Sequence, residues 1–184
     1  MSPAPPAWDE EEVRQAVAGL AGVFDGDEAV DELAHALQCA TNAVHADASP
    51  ELVAAALFHD IARNPLVHDA FPNVPHEVAG ARWVRPRTSD RVAWLVEAHV
   101  PAKVYLVQHD PAYVALLSPE SVHSLRYQQE STGHHPPLQE LAAHRWWPEA
   151  LDLRRWDDAA KVPGAPVVGL DEILRQLRPA FSSP

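Results

Sequence analysis

The chain has 184 residues, 47% of them hydrophobic, with 14 basic against 26 acidic side chains for a formal charge of −12. At roughly 100–200 residues per domain this length fits one domain with its own core, and the charge has the wrong sign for a protein that binds nucleic acid through phosphates. No apolar run approaches the roughly 18–20 residues that span a bilayer, MSPAPPAWDEEE lacks the basic and apolar regions of a secretory signal, and a lone cysteine, Cys39, excludes an intrachain disulfide or a thiolate-rich zinc site. A cytoplasmic protein without nucleic-acid or membrane partners is expected. In chain order, residues 1–7 are too proline-rich to pack and read as a disordered tail before one domain over 8–184. Asp9 caps a helix carrying Val13, Val17, Leu20 and Val23. A second helix is expected from about Asp27, with Val30, Leu33, Ala34, Leu37 and Ala40 on one side. Ser49-Pro50 opens ELVAAALFHDIA, apolar enough for a buried central helix. Pro75 opens HEVAGARWV, Ser89 caps a helix through Val92, Leu95, Val96 and His99, and Ser118-Pro119 starts one to about Gln128. A polar loop over 131–137, a helix near Pro148–Lys161, a connector rich in proline and glycine, and a short helix over Leu170–Leu177 complete the chain. Without an alternating strand run or internal repeat, the pattern predicts an all-α fold.

Eleven histidines are the unusual count. The strongest local feature is His59-Asp60 in an otherwise apolar helix, where an imidazole and a carboxylate are costly to desolvate unless a metal or strong hydrogen bonds compensate them. Candidate partners are His35, His76, His99 and Asp157, spaced by about a helix and a turn, so a helical bundle can aim all six inward. Six ligands are too many for one tetrahedral zinc and suit two octahedral-leaning ions sharing a carboxylate. The other histidines, His45, His68, His109, His123, His134, His135 and His144, read as solvated or hydrogen-bonded. Lys103 and Lys161 are the only lysines, in a chain whose other basic side chains are arginines.

The pattern His35, His59-Asp60 and Asp157 resembles that of the HD-domain superfamily. Together with His76, His99 and the blocks EAVDELAHALQCA, ALFHDIA, HEVAGARWV, EAHVPAKVYL, DPAYVALLSPESV and LRRWDDAAKVPG, the chain is similar to the HD-domain mixed-valent diiron oxygenases associated with phosphonate breakdown, typified by the 2-amino-1-hydroxyethylphosphonate enzyme. The resemblance implies an HD-type helical bundle and two iron ions, Fe(II)/Fe(III), with O2 as co-substrate. His35, His59 and Asp157 would hold one iron, His76 and His99 the other, and Asp60 would bridge them. It also implies a small anionic phosphonate with a hydroxyl on the carbon next to phosphorus, cleaved to phosphate and a carboxylate. Positions matching Lys103, Ser121, Arg154 and Lys161 surround the phosphonate in that family, and Glu28 matches a carboxylate near the substrate amine.

Two positions depart from the family pattern: Asp25 stands where the typifying enzyme has a tyrosine, and Arg63 where it has a histidine. The substrate's far end is therefore expected to differ, with Arg63 facing an acidic group or pairing with Asp25 or Glu28. Two other functions compete. One is a metal-dependent phosphohydrolase in which the metals activate water against a phosphate ester. The other is a sensor that binds metal or phosphonate without turnover, which fold similarity alone does not exclude.

Overall fold

The computed structural model describes residues 8–130 and 132–181. The lead over 1–7, expected as a tail, lies outside them. Among the described residues the chain is all helical: α1 (Glu10–Ala18), α2 (Glu32–His45), α3 (Pro50–Phe58), α4 (Pro65–Ala70), α5 (His76–Val84), α6 (Asp90–His109), α7 (Pro111–Val114), α8 (Pro119–Glu130), α9 (Leu138–Ala142), α10 (Trp147–Ala159) and α11 (Leu170–Phe181). Single 3₁₀ turns lie at Ile61–Arg63 and Thr132–His134.

Helix starts follow the capping residues. The Asp9 carboxylate accepts from the Glu11 and Glu12 amides, and the Ser49 and Ser89 hydroxyls accept from Leu52 and Val92, each satisfying donors that the first helical turn leaves free. The second helix begins later than its apolar spacing predicts. Asp31, not Asp27, is the cap, accepting from the Ala34 amide, while the Glu28 amide closes a turn onto the Asp25 carbonyl. The shift leaves 22–31 as a loop, with Gly22 and Gly26 at positive φ, where glycine carries no Cβ penalty.

Every residue of α3 from Leu52 to Phe58 is buried, and α2, α6, α10 and α11 pack around it. α11 closes one side with Ile173, Leu174, Leu177 and Phe181 turned inward, Phe181 stacking on Trp8. α5 lies along α6, and Gly80 sets their approach: a Cβ there would sit 3.2 Å from Val96 Cγ1 and 3.5 Å from Ile61 Cγ2. The C-terminal end of α3 thus faces α2, α5, α6 and α10, from which the remaining candidate ligands come.

Candidate metal centre and its anion pocket

His59 is the C-cap of α3, and Asp60 leaves helical geometry at φ −108°, ψ 20°, before the 3₁₀ turn that starts at Ile61. The pair therefore follows the apolar helix instead of lying within it. Consecutive residues of a continuous helix project about 100° apart; breaking the helix at Asp60 lets both side chains reach one centre. His35 comes from α2, His76 is the first residue of α5, His99 lies inside α6, and Asp157 lies near the end of α10.

The two oxygens of Asp60 face different partners. Oδ2 lies 3.5 Å from His59 Nε2 and 3.8 Å from His35 Nε2, while Oδ1 lies 3.0 Å from His76 Nε2 and 3.6 Å from His99 Nε2. Asp157 Oδ1 completes the first group, 3.2 Å from His35 Nε2 and 3.7 Å from His59 Nε2. Two three-residue clusters result, His35–His59–Asp157 and Asp60–His76–His99, each able to hold a metal ion.

The far nitrogen of each imidazole is already engaged. Nδ1 of His35 meets the Ala160 carbonyl at 2.9 Å, that of His59 the Ala56 carbonyl at 2.9 Å, and that of His99 the Val96 carbonyl at 2.6 Å. Nδ1 of His76 lies 3.3 Å from Glu77 Oε2. With Nδ1–H donated outward, each Nε2 turns a lone pair to the centre, the arrangement of a histidine metal ligand. Burial opposes ionisation of both aspartates. Even so, Arg154 and His59 hold Asp157, and His59, His76 and His99 hold Asp60, well below the usual carboxylate range. Burial pushes the His99 pKa down, favouring its neutral imidazole, whereas Asp157 at His35, and Cys39 with Asp60 and Asp157 at His59, outweigh burial and raise those two. Asp60 Oδ1 is buried without a hydrogen-bond partner among the described residues. Imidazole nitrogens and carboxylate oxygens closing on a common centre suit cations between them, and this sulfur-free N/O set is compatible with iron or manganese.

A cavity of about 40 Å³ opens beside these atoms. A water needs roughly 10–15 Å³ by the same measure, so the space takes a small molecule only. On one side the buried Lys103 donates to Ser124 Oγ at 2.8 Å, and Lys161 donates to Ser121 Oγ at 3.0 Å and to Glu28 Oε1 at 2.5 Å. Burial, with Arg154 beside it, lowers the Lys103 pKa to about 7. Arg154 contributes its charge mainly to the protein's own carboxylates, meeting Asp157 Oδ2 at 2.6 Å and both oxygens of Asp158. On the other side Arg63 donates to Asp25 Oδ2 at 3.2 Å, with its Nε 4.0 Å from Asp60 Oδ1.

The HD domain model matches residues 33–135. The hydroxymethylphosphonate dioxygenase of Gimesia maris is 35% identical over 152 residues, covering 79% of this chain and 75% of that protein. This chain belongs to the HD-domain dioxygenase family. A second relative, the glycine-betaine-forming [1-hydroxy-2-(trimethylamino)ethyl]phosphonate dioxygenase of Leisingera caerulea, is 34% identical over 121 residues, 59% of this chain and 62% of that one. No described helix of this HD-domain dioxygenase is long and apolar enough to cross a membrane.

All twelve residues singled out in the sequence converge here, eleven of them around the cavity and His59 just behind it. Others went unnoticed. Glu32, only 4% exposed, lines the cavity and forms a third ligand-type cluster with His35 and Asp60. Burial, then the charge of Asp60, raises its pKa to about 7. It stands one helical turn before His35, and that spacing was the available signal. His135, read as an ordinary histidine, meets Glu77 Oε1 at 2.9 Å and so backs the carboxylate behind His76. Burial opposes the charge on Glu77, but the hydrogen bond from His135 and the nearby His76 bring its pKa down to about 2. That contact joins residues 58 apart, and no local pattern announces it.

Proposed function

We propose that this HD-domain dioxygenase cleaves the carbon–phosphorus bond of a small 1-hydroxyalkylphosphonate, consuming O2 and yielding phosphate and a carboxylate. The observation that carries this reading is the division of Asp60, one oxygen facing each histidine cluster, beside a pocket bearing Lys103 and Lys161. His35, His59 and Asp157 would hold one iron, His76 and His99 the other, with Asp60 between them. When bound, an Fe(II)/Fe(III) pair would supply the O2 activation and the path for substrate electrons to O2 that no protein side chain can provide.

The chain's own residues perform the rest. Lys103 and Lys161 offer ammonium donors to the phosphonate, with the Ser121 hydroxyl beside them. In a chain of charge −12 that local positive field keeps an anionic substrate from being repelled. Binding there would require Lys161 to exchange part of its contact with Glu28 for the ligand. Arg154 acts mostly through Asp157, holding the outer carboxylate oxygen so that the inner one stays directed at His35 and His59. The small cavity leaves little room for water beside a bound substrate.

The two relatives' names share one chemical unit, a hydroxyl on the carbon attached to phosphorus, and differ in what that carbon carries further out. Here the outer end is occupied by the mutually neutralising Arg63 and Asp25. This pair and the small cavity favour a short, uncharged substituent. The overall change balances as R–CH(OH)–PO₃²⁻ + O₂ → R–COO⁻ + HPO₄²⁻ + H⁺, both oxygen atoms of O2 entering the products. Iron-loaded protein supplied with reductant and hydroxymethylphosphonate should release phosphate and consume O2 in equal amounts. Phosphate release from a phosphate ester without O2 uptake would instead establish the hydrolytic alternative.

A further inference from the structure

Glu32 is the cavity carboxylate to which the proposed reaction has so far given no part. Its residue is 4% exposed, and its Oε2 is buried without a hydrogen-bond partner among the described residues. Buried carboxylate oxygens are normally satisfied, so an unpaired one facing a ligand cavity asks for a donor. Lys103 donates to Ser124, Lys161 to Glu28 and Ser121, and the Arg63 Nη2 to Asp25, while the Arg63 Nε is, like Glu32 Oε2, buried without a hydrogen-bond partner among the described residues. The ligand atoms of Glu32, His35 and Asp60 lie within 4.8 Å of one another. Glu32 therefore borders the space between the two histidine clusters, while the lysines mark another wall of the same cavity.

Resting on the functional reading above, we propose that Glu32 accepts a hydrogen bond from the substrate's hydroxyl and thereby selects 1-hydroxyphosphonates over the corresponding phosphonates without that group. A molecule whose phosphonate meets Lys103 and Lys161 carries its hydroxyl one carbon away, inside a cavity whose lining also includes Glu32. Glu32 then fixes which face of the hydroxyl-bearing carbon is presented to the centre. A site built to pair a hydroxyl discriminates strongly against analogues lacking it, because the site's own polar atom is left unsatisfied.

The test compares hydroxymethylphosphonate with methylphosphonate, which differ by that oxygen alone, in anaerobic calorimetric titrations of the iron-loaded full chain. Wild type, E32Q and E32M are measured, together with iron per chain for each. Wild type is expected to prefer the hydroxylated compound, and E32M, similar in length but unable to accept, to reduce that preference by about 10-fold or more, the scale of a hydrogen bond whose loss leaves a buried polar group unpaired. E32Q retains an amide oxygen and should keep part of the preference. Iron content and methylphosphonate affinity should stay close to wild type in both. An undiminished preference in E32M, or none in wild type, overturns the role of Glu32 alone. Loss of iron in both variants also overturns it, in favour of a metal-ligand role. Failure of wild type to bind either compound removes the phosphonate reading as well.

Discussion

Lys103 shows how one residue's surroundings set its chemistry. Its ammonium is almost wholly enclosed, at 1% exposure, and desolvation with the nearby Arg154 lowers its pKa to about 7. The sign follows directly: the side chain is a cation below about pH 7 and loses its charge above it, far below the usual lysine value near 10.4. Anion affinity supplied by Lys103 is therefore full at acidic pH and lost as pH rises. In titrations with hydroxymethylphosphonate, K103M should bind about 10–100-fold more weakly than wild type at pH 6, the scale of a charged hydrogen bond, and the gap should narrow toward pH 9. A constant gap would place the Lys103 pKa elsewhere. The scarcity of lysine was enough to draw attention to this residue in the sequence, but its serine partner on α8, Ser124, was not. Likewise the six candidate ligands were legible from residue type and spacing, whereas Glu32 was not, because a single acid on a helix usually reads as a solvated face.

At the level of elements, the site depends on how α5 meets α6, since His76 begins one and His99 lies within the other. Gly80 allows that approach, its position leaving only 3.2 Å between an added Cβ and Val96. A valine there should overpack the contact and cost about 1–3 kcal/mol, lowering Tm by roughly 3–10 °C at this chain size. Differential scanning calorimetry of G80V checks this, and an unchanged Tm would show that the helices can part without cost. The loop before α9 acts on the same cluster through His135, whose contact with Glu77 steadies the carboxylate behind His76. H135A should weaken one of the two metal sites by about 10–100-fold, the usual effect of losing such outer support, while H135Q, which can still donate to Glu77, recovers much of it. Metal titrations on the two variants separate this positioning role from a general loss of fold, which would weaken both sites alike. Most helices were readable from caps and apolar spacing. The short α4, α7 and α9 were not, being too brief for a periodic signal, and the break at Asp60 was masked because ALFHDIA stays apolar on both sides of it.

Across the whole molecule, the candidate ligands come from α2, the end of α3, α5, α6 and α10, so ions at the centre would connect most of the bundle. Anything that binds the folded state alone stabilises it by mass action, about 2.7 kcal/mol at a hundred times the dissociation constant. Chelation is accordingly expected to lower Tm by roughly 5–10 °C, with re-addition of iron restoring it; indifference to chelation would mean that metal and fold are not coupled. The all-α architecture followed from the sequence because the longer helices carry caps and apolar spacing of their own, with no alternating strand run between them. A pairing of Arg63 with Asp25 was among the alternatives the sequence raised, but the choice of Asp25 over Glu28, and the contact of Lys161 with Glu28, depend on where the 22–31 loop meets distant helices. The central claim is that Asp60 joins two ions, one in each histidine cluster. Electron paramagnetic resonance of anaerobically reduced, partly oxidised, iron-loaded protein tests it most directly: the account predicts two irons per chain with a coupled mixed-valent signal that changes when hydroxymethylphosphonate is added. One iron per chain, or magnetically isolated irons whose spectra ignore the phosphonate, would contradict it.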